Sequence, residues 1–311
     1  MSNISQRDAF WNTVYQRALS DRDIVIVSAD MGAPALDQIR RDIPAQFINT
    51  GIAEQNTITL ATGLAMSGKK VFTYAIAPFI TLRCLEQIRV NNAMMNIPIT
   101  IVGVGAGFGY EDSGPTHHLI EDIAVMRSMP NITINSITDS VMSAAVAEKC
   151  CSSIANAQYV RLDREPLPAI YADNSSFSDG LALLRKPAPL TIVSTGGMTH
   201  IALKTADALA AEGITVGVID LYSLPVNEKL LVESLAGVTQ LVTLEEHFLP
   251  GGLGSAVCEV LADHGMLLPA KRLGLPLDRK YCYEYGGRDI IRGYYGLNSD
   301  AVLQAVRQLA K

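Results

Sequence analysis

Two stretches of the chain hold residues whose types and spacing could do chemistry. The first is Phe47-Ile48-Asn49-Thr50-Gly51-Ile52-Ala53-Glu54-Gln55-Asn56. A short apolar run ends in Thr50-Gly51, and a helical pattern opens behind it, so Glu54 falls in the first turn of a helix that follows a strand. The continuation from Thr57 to Ala65 is apolar or small and free of charge. This helix is therefore expected to be buried on most sides. A carboxylate at its edge is costly unless something hydrogen-bonds it. Taken alone, Glu54 could be a capping acid that stabilises its own helix N-terminus; a site carboxylate is the other reading.

The second stretch is Gly105-Ala106-Gly107-Phe108-Gly109-Tyr110-Glu111-Asp112-Ser113-Gly114-Pro115-Thr116-His117-His118. Its four glycines let the backbone approach a ligand closely. Paired histidines at a helix entrance can donate hydrogen bonds or move protons near neutral pH. A solvated loop with histidines capping the next helix is the alternative, but this loop follows a buried strand, and function collects on loops carried by rigid scaffolds.

The elements that must position these residues alternate regularly. Residues 8–19 read as an amphipathic helix and 23–28 as a buried strand ending in Ala29-Asp30-Met31-Gly32. Strands follow at 46–49, 70–77, 98–105, 131–137 and 158–162. Helices are expected from Glu54, over 80–95, up to about 128 and over 140–152. Near-continuous apolar strands separated by helices indicate an α/β fold with a parallel sheet covered on both faces. Ligands collect at the carboxyl ends of such strands, where four loops converge: Asp30-Met31, 51–54, 77–79 and 105–118.

Between 166 and 189 the pattern lapses into Pro, Asp, Asn and Ser, which places an interdomain linker there. A second, smaller alternation follows, with strands at 190–195, 216–221 and 240–244 and helices at 201–211, 227–236, from Gly251-Gly252-Leu253-Gly254 to about 263, and 300–310. The expected organisation is two doubly wound domains, 1–170 and 189–311, joined by a linker over 171–188.

Composition narrows the function. At 311 residues and 49% hydrophobic, the chain has material for two cores. The net charge of −6 is spread with no basic block, so nucleic-acid binding is not expected. The five cysteines lack metal-ligand spacing and read as reduced core residues of a cytoplasmic protein. The polar N-terminus is no signal peptide, and no apolar run spans a membrane. No Gly-x-Gly-x-x-Gly follows the first strand, which argues against a dinucleotide-binding oxidoreductase.

Ile52-Ala53-Glu54-Gln55-Asn56 together with Gly114-Pro115-Thr116-His117-His118-Leu119-Ile120-Glu121-Asp122 resembles the carboxyl-terminal half of transketolases. It also resembles the corresponding parts of 1-deoxyxylulose-5-phosphate synthases and keto-acid dehydrogenase beta subunits. The resemblance covers almost the whole chain. It implies thiamine diphosphate dependence, with this half supplying the pyrimidine-binding domain. Glu54 matches the glutamate that holds N1′ of the aminopyrimidine. A carboxyl there makes the exocyclic nitrogen basic enough to take the thiazolium C2 proton. A poorly solvated glutamate, held loosely in its ionised form, fits that role. His117 matches the histidine that faces the reacting carbonyl, with His118 beside it as a second catalytic candidate or a loop-orienting residue. The resemblance places Asp30, Met31, Ile52, Glu54, Phe79 and Arg83 at the cofactor. Asp30 could equally be a strand-end turn residue, and Arg83 a surface helix charge.

The sequence also departs from the family pattern. Phe79 is the only aromatic in the run 77–83, and the register could put Ile80 on the ring instead. Glu111-Asp112-Ser113-Gly114 displaces by one residue the Asp that precedes Gly-Pro-Thr-His in the family. Few arginines in the loops look able to bind a substrate phosphate. The Gly-Asp-Gly motif with a later Asn, which binds diphosphate through Mg²⁺, is missing; Gly251-Gly252-Leu253-Gly254 does not serve, and it either packs closely or holds an anion at a helix start. The resemblance therefore implies half an active site. A separate diphosphate-binding subunit would supply the other half and most of the Mg²⁺ ligands, in a heterotetramer whose dimerisation the second domain supports. Glu245-Glu246-His247 is expected to be structural. The expected reaction is transfer of a two-carbon ketol unit from a ketose donor to an aldehyde or ketone sugar acceptor. A 2-keto acid decarboxylating carboligase, a dehydrogenase beta-type subunit and a non-catalytic regulatory subunit are the rivals.

Overall fold

The computed structural model describes residues 4–152 and 154–310. Its strands are β1 (Ile24–Ser28), β2 (Phe47–Asn49), β3 (Lys70–Ile76), β4 (Thr100–Val104), β5 (Ile132–Ser136), β6 (Ala157–Leu162), β7 (Leu181–Arg185), β8 (Leu190–Ser194), β9 (Val216–Leu221), β10 (Ser223–Leu224), β11 (Gln240–Phe248) and β12 (Ala270–Leu275). They form a seven-stranded sheet in the order β10-β5-β6-β4-β3-β1-β2 and a five-stranded sheet in the order β12-β11-β8-β9-β7. Pairing is parallel throughout, except for β10 against β5 and β7 against β9. Both sheets are covered on both faces, which is why β1, β4, β6, β8 and β9 are buried along their whole length.

Strand order reverses twice. In the first sheet the chain leaves β1 for β2 on one side and returns to β3 on the other. In the second it leaves β8 for β9 and returns to β11. Each reversal opens a crevice at the carboxyl ends of the strands, the usual place for a ligand.

The structure corrects several expectations. Residues 181–185, assigned to the linker, form the antiparallel edge strand β7; an edge strand with one open face needs little apolar sequence. The helix expected over 80–95 is broken into a single α-turn at Ala77–Ile80, a 3₁₀ turn at Leu82–Cys84, a short α segment and a π-helical stretch at Ile88–Met94. Strand β12 and the helices Pro34–Asp42 and Arg288–Tyr295 were not expected. The Glu54–Met66 helix is buried along one face only, through Glu54, Thr57, Ile58, Ala61 and Thr62, while Gln55, Thr59 and Gly63 are exposed. All five cysteines are free, four of them buried. Among the described residues no helix is long and apolar enough to cross a membrane.

Candidate active site at the carboxyl ends of β1 to β4

Glu54 is the first residue of its helix and is 4% exposed. Its Oε2 accepts a hydrogen bond from Arg83 Nη1 at 2.8 Å, while among the described residues Oε1 accepts none. The nearly buried glutamate is thus accompanied by a countercharge, which a buried carboxylate requires. Arg83 stands on the 3₁₀ turn that breaks the expected helix, and Gln55 Nε2 donates to its carbonyl at 3.1 Å.

Arg83 leads on to the aromatic residue. Its guanidinium lies 4.1 Å over the Phe79 ring, a cation–π contact. Phe79 is half-buried, and its edge meets the His117 ring at 5.0 Å. Ile80, the alternative by register, is fully buried in the core among Ile58, Cys84 and Ile88. The single turn Ala77–Ile80 separates the two side chains in this way.

His117 is half-buried; Thr116 Oγ1 lies 3.0 Å from its Nδ1. The Tyr110 ring is 6.1 Å away, and Arg164 lies 4.8 Å over that ring. Arg164 also donates to Asp112 Oδ1 at 3.0 Å. Sequence reading missed Arg164 because it follows β6, outside the loops first singled out. Its signal is its position just past the carboxyl end of a central strand.

Asp30 ends β1 with φ 51°, a left-handed turn that Asp tolerates. Its N–H donates to Asn49 Oδ1 at 3.2 Å, and Asn49 Nδ2 donates back to its carboxylate at 3.4 Å. This is a strand-end turn with the carboxylate left exposed. Met31 is half-buried, and Ser28 Oγ holds its backbone from below. Ile52 is 81% exposed.

His118 does not join this group. It is 3% exposed and lies edge-on to Phe108 at 5.1 Å, on the side of the loop that faces the second domain. Among the described residues neither ring nitrogen has a hydrogen-bond partner. Burial lowers its pKa below the ordinary histidine value. Its place in the sequence beside His117 sent it to the opposite face.

Glu245 answers the question of an anion at Gly251–Gly254. Its oxygens accept from Leu253 N at 2.6 Å and Gly254 N at 2.8 Å, so that helix start is already capped by a carboxyl group supplied by the chain itself, one whose pKa burial raises to about 7. A Cβ at Gly252 would run into the same carboxyl group, so close packing and capping are one feature. Among the described residues no group of three or more His, Cys, Asp or Glu side chains gathers as for a metal ion.

A doubly wound sheet with a nearly buried carboxylate at its crevice, followed by a smaller α/β domain, is an architecture of cofactor-dependent α/β enzymes. Residues 2–168 match the family description "Transketolase, pyrimidine binding domain", and residues 181–302 match "Transketolase, C-terminal domain". The chain therefore belongs to the transketolase family and carries these two of its domains. It is similar to an apulose-4-phosphate transketolase subunit of Phocaeicola vulgatus, at 32% identity over 99% of this chain and 98% of that one. It is also similar to the 6-deoxy-6-sulfo-D-fructose transketolase subunit SqwH of a Clostridium species, at 31% identity over 98% and 94%. A solved split-gene transketolase, described as an inactive β4 tetramer, superposes with a TM-score of 0.85 at 32% identity, covering 98% of this chain and 97% of that one.

Membership of the family implies thiamine diphosphate dependence. The residues at the crevice fit the cofactor's aminopyrimidine. Glu54 has one oxygen anchored and one without a donor among the described residues, which suits a ring N–H, and Phe79 offers a half-exposed aromatic surface beside it.

Proposed function

We propose that this chain supplies the pyrimidine-side half of a thiamine diphosphate site shared with a separate diphosphate-binding subunit. The assembled enzyme transfers a two-carbon ketol unit from a ketose donor to an aldehyde or ketone sugar acceptor. The observation that carries this reading is the Glu54 carboxylate, nearly buried at the crevice with Oε1 unclaimed by the described residues.

When bound, the cofactor supplies the electron sink for carbon–carbon cleavage. Glu54 would hold the cofactor's aminopyrimidine through Oε1, while Arg83 fixes the carboxylate's orientation through Oε2. Phe79, Asp30, Met31 and Ile52 are the other residues that would hold it. His117, beyond Phe79, donates hydrogen bonds to substrate oxygens or moves their protons; Thr116 engages Nδ1, leaving Nε2 for the substrate. Arg164 provides the cation for an anionic substrate tail. The substrates in the names of the two relatives carry a phosphate and a sulfo group, which supports that class.

The split site is supported by relatives named as subunits, which this chain matches over 98% and 94% of their length. It is also supported by the outer face of the Glu54–Met66 helix, which has no charge from Thr57 to Met66 yet leaves Thr59, Gly63 and Met66 exposed. The partner subunit covers that face and ligates most of the Mg²⁺, in a heterotetramer.

The test is Glu54→Gln in the assembled enzyme, followed by C2 proton exchange of bound thiamine diphosphate. Exchange should be lost with the fold intact; unchanged exchange removes Glu54 from the mechanism. Tight Mg²⁺-dependent cofactor binding by this chain without a partner refutes the shared site.

A further inference from the structure

The crevice at the β8/β11 reversal, where a doubly wound domain would hold its ligand, is filled by the first domain's own loop. At the end of β11 the Glu246 carboxylate accepts the Phe108 N–H at 3.2 Å. It is held by Arg288 Nη2 at 2.5 Å and Arg292 Nε at 2.5 Å. Arg288 continues into the first domain, donating to the Ala106 carbonyl at 3.1 Å and to Asp163 Oδ1 at 2.7 Å. Glu246 and Arg288 are both almost fully buried. A Cβ on Gly107 would run into the Glu246 carboxylate, so the loop backbone lies directly on this acid.

The loop so held is the one that carries His117. It is closed by a reciprocal pair, Gly107 N to Leu119 O at 3.0 Å and Leu119 N to Gly107 O at 2.8 Å. Its two ends meet the second domain together. The His118 ring lies edge-on to Phe108, and Phe108 stacks on Tyr295 of the Arg288–Tyr295 helix at 5.5 Å with 13° between planes. His117 projects from between these anchored ends towards Phe79.

We infer that Glu246 and Arg288 are positioning residues for His117: the second domain takes the His117 loop as its ligand and fixes where the imidazole stands. This rests on the reading of His117 given above. A buried, charge-assisted bond to a backbone N–H suits the task, because it fixes a loop without touching substrate.

The experiment is a double-mutant cycle of Glu246→Gln and His117→Ala in the assembled enzyme, joined to amide exchange of this subunit. Glu246→Gln should lower kcat/KM about ten-fold and leave thiamine diphosphate affinity unchanged, since Glu54 and Phe79 lie outside the loop. In the His117→Ala background the same change should cost almost nothing, because its effect passes through the imidazole. The Phe108 and Leu119 amides should exchange faster while those of β1 and β8 keep their protection. An equal loss in both backgrounds, or unchanged loop amides, overturns the inference. If Glu246→Gln does not assemble, Arg292→Gln, which removes one of the acid's two arginines, carries the same test. An inactive assembly would count against the proposed function alone, since amide exchange still decides whether the second domain holds the loop.

Discussion

Arg83 reaches the Glu54 carboxylate at 2.8 Å although its own side chain is 43% exposed, while that of Glu54 is 5% exposed. The pair is therefore lopsided: the buried acid has Arg83 as its countercharge, while the arginine keeps its contact with solvent. Arg83→Met should leave Glu54 an unaccompanied buried anion. The expected cost is about 1–2 kcal/mol of stability, less than for a fully buried pair because Arg83 faces solvent. Weaker thiamine diphosphate binding should accompany it. Arg83→Lys should recover part of the charge effect but not the stacking on Phe79. Denaturant melts and cofactor titration of the assembled enzyme check both.

Ile52 is 81% exposed two residues before Glu54. In the shared site proposed above, Ile52 lies on the edge that the diphosphate-binding subunit covers. Ile52→Glu should change the stability of the isolated chain by no more than about 0.5 kcal/mol and yet abolish assembly with the diphosphate-binding subunit. Size-exclusion chromatography of the mixed subunits reads this directly; an intact complex would place the interface elsewhere.

Arg164 lies over Tyr110 and pairs with Asp112, both of which an anion could displace. Arg164→Gln should reduce kcat/KM for a phosphorylated sugar by roughly 10- to 100-fold, about 1.5–3 kcal/mol for a charge-assisted contact. An unphosphorylated analogue should lose little. Equal losses for both would assign Arg164 to the loop's structure.

Asp220 is fully buried and accepts hydrogen bonds from Thr138 Oγ1 at 2.6 Å, Tyr171 OH at 2.7 Å and Thr199 Oγ1 at 3.0 Å. Burial raises its pKa from an ordinary 3.8 to about 6, against the pull of those hydroxyls. The native state therefore keeps a proton that the unfolded chain releases between these values. The resulting stability is fully present below pH 3.8 and is lost as pH rises towards 6. Asp220→Asn, which cannot titrate, should gain up to about 3 kcal/mol relative to the parent across that window. Urea melts at intervals from pH 3 to pH 7 would show it; parallel curves would refute it.

The sequence was sufficient for whatever depends on local pattern. Buried strands with helices between them, Glu54 at a helix start, and a glycine-rich loop ending in paired histidines are all properties of neighbouring residues, and the structure places them as read. Elements with weak local signal were missed. The edge strand β7 keeps an open face and β12 is exposed over its first half, so both need few apolar residues, and the Arg288–Tyr295 helix sits between glycines that read as loop. The Glu54–Met66 helix, free of charge from Thr57 on, read as buried on most sides, yet its own chain covers one face, since composition records that a surface avoids water and not which molecule covers it.

Contacts between distant residues were decided by tertiary structure alone. His117 and His118 are neighbours in the chain, but the turn of the loop sends one to Phe79 and the other to Phe108. Arg83 joins Glu54 across 29 positions, and Glu246 meets Phe108 across 138. A side chain's chemistry is written in its residue type, but its partner is set by how two sheets pack, and no periodicity within either segment encodes that distance.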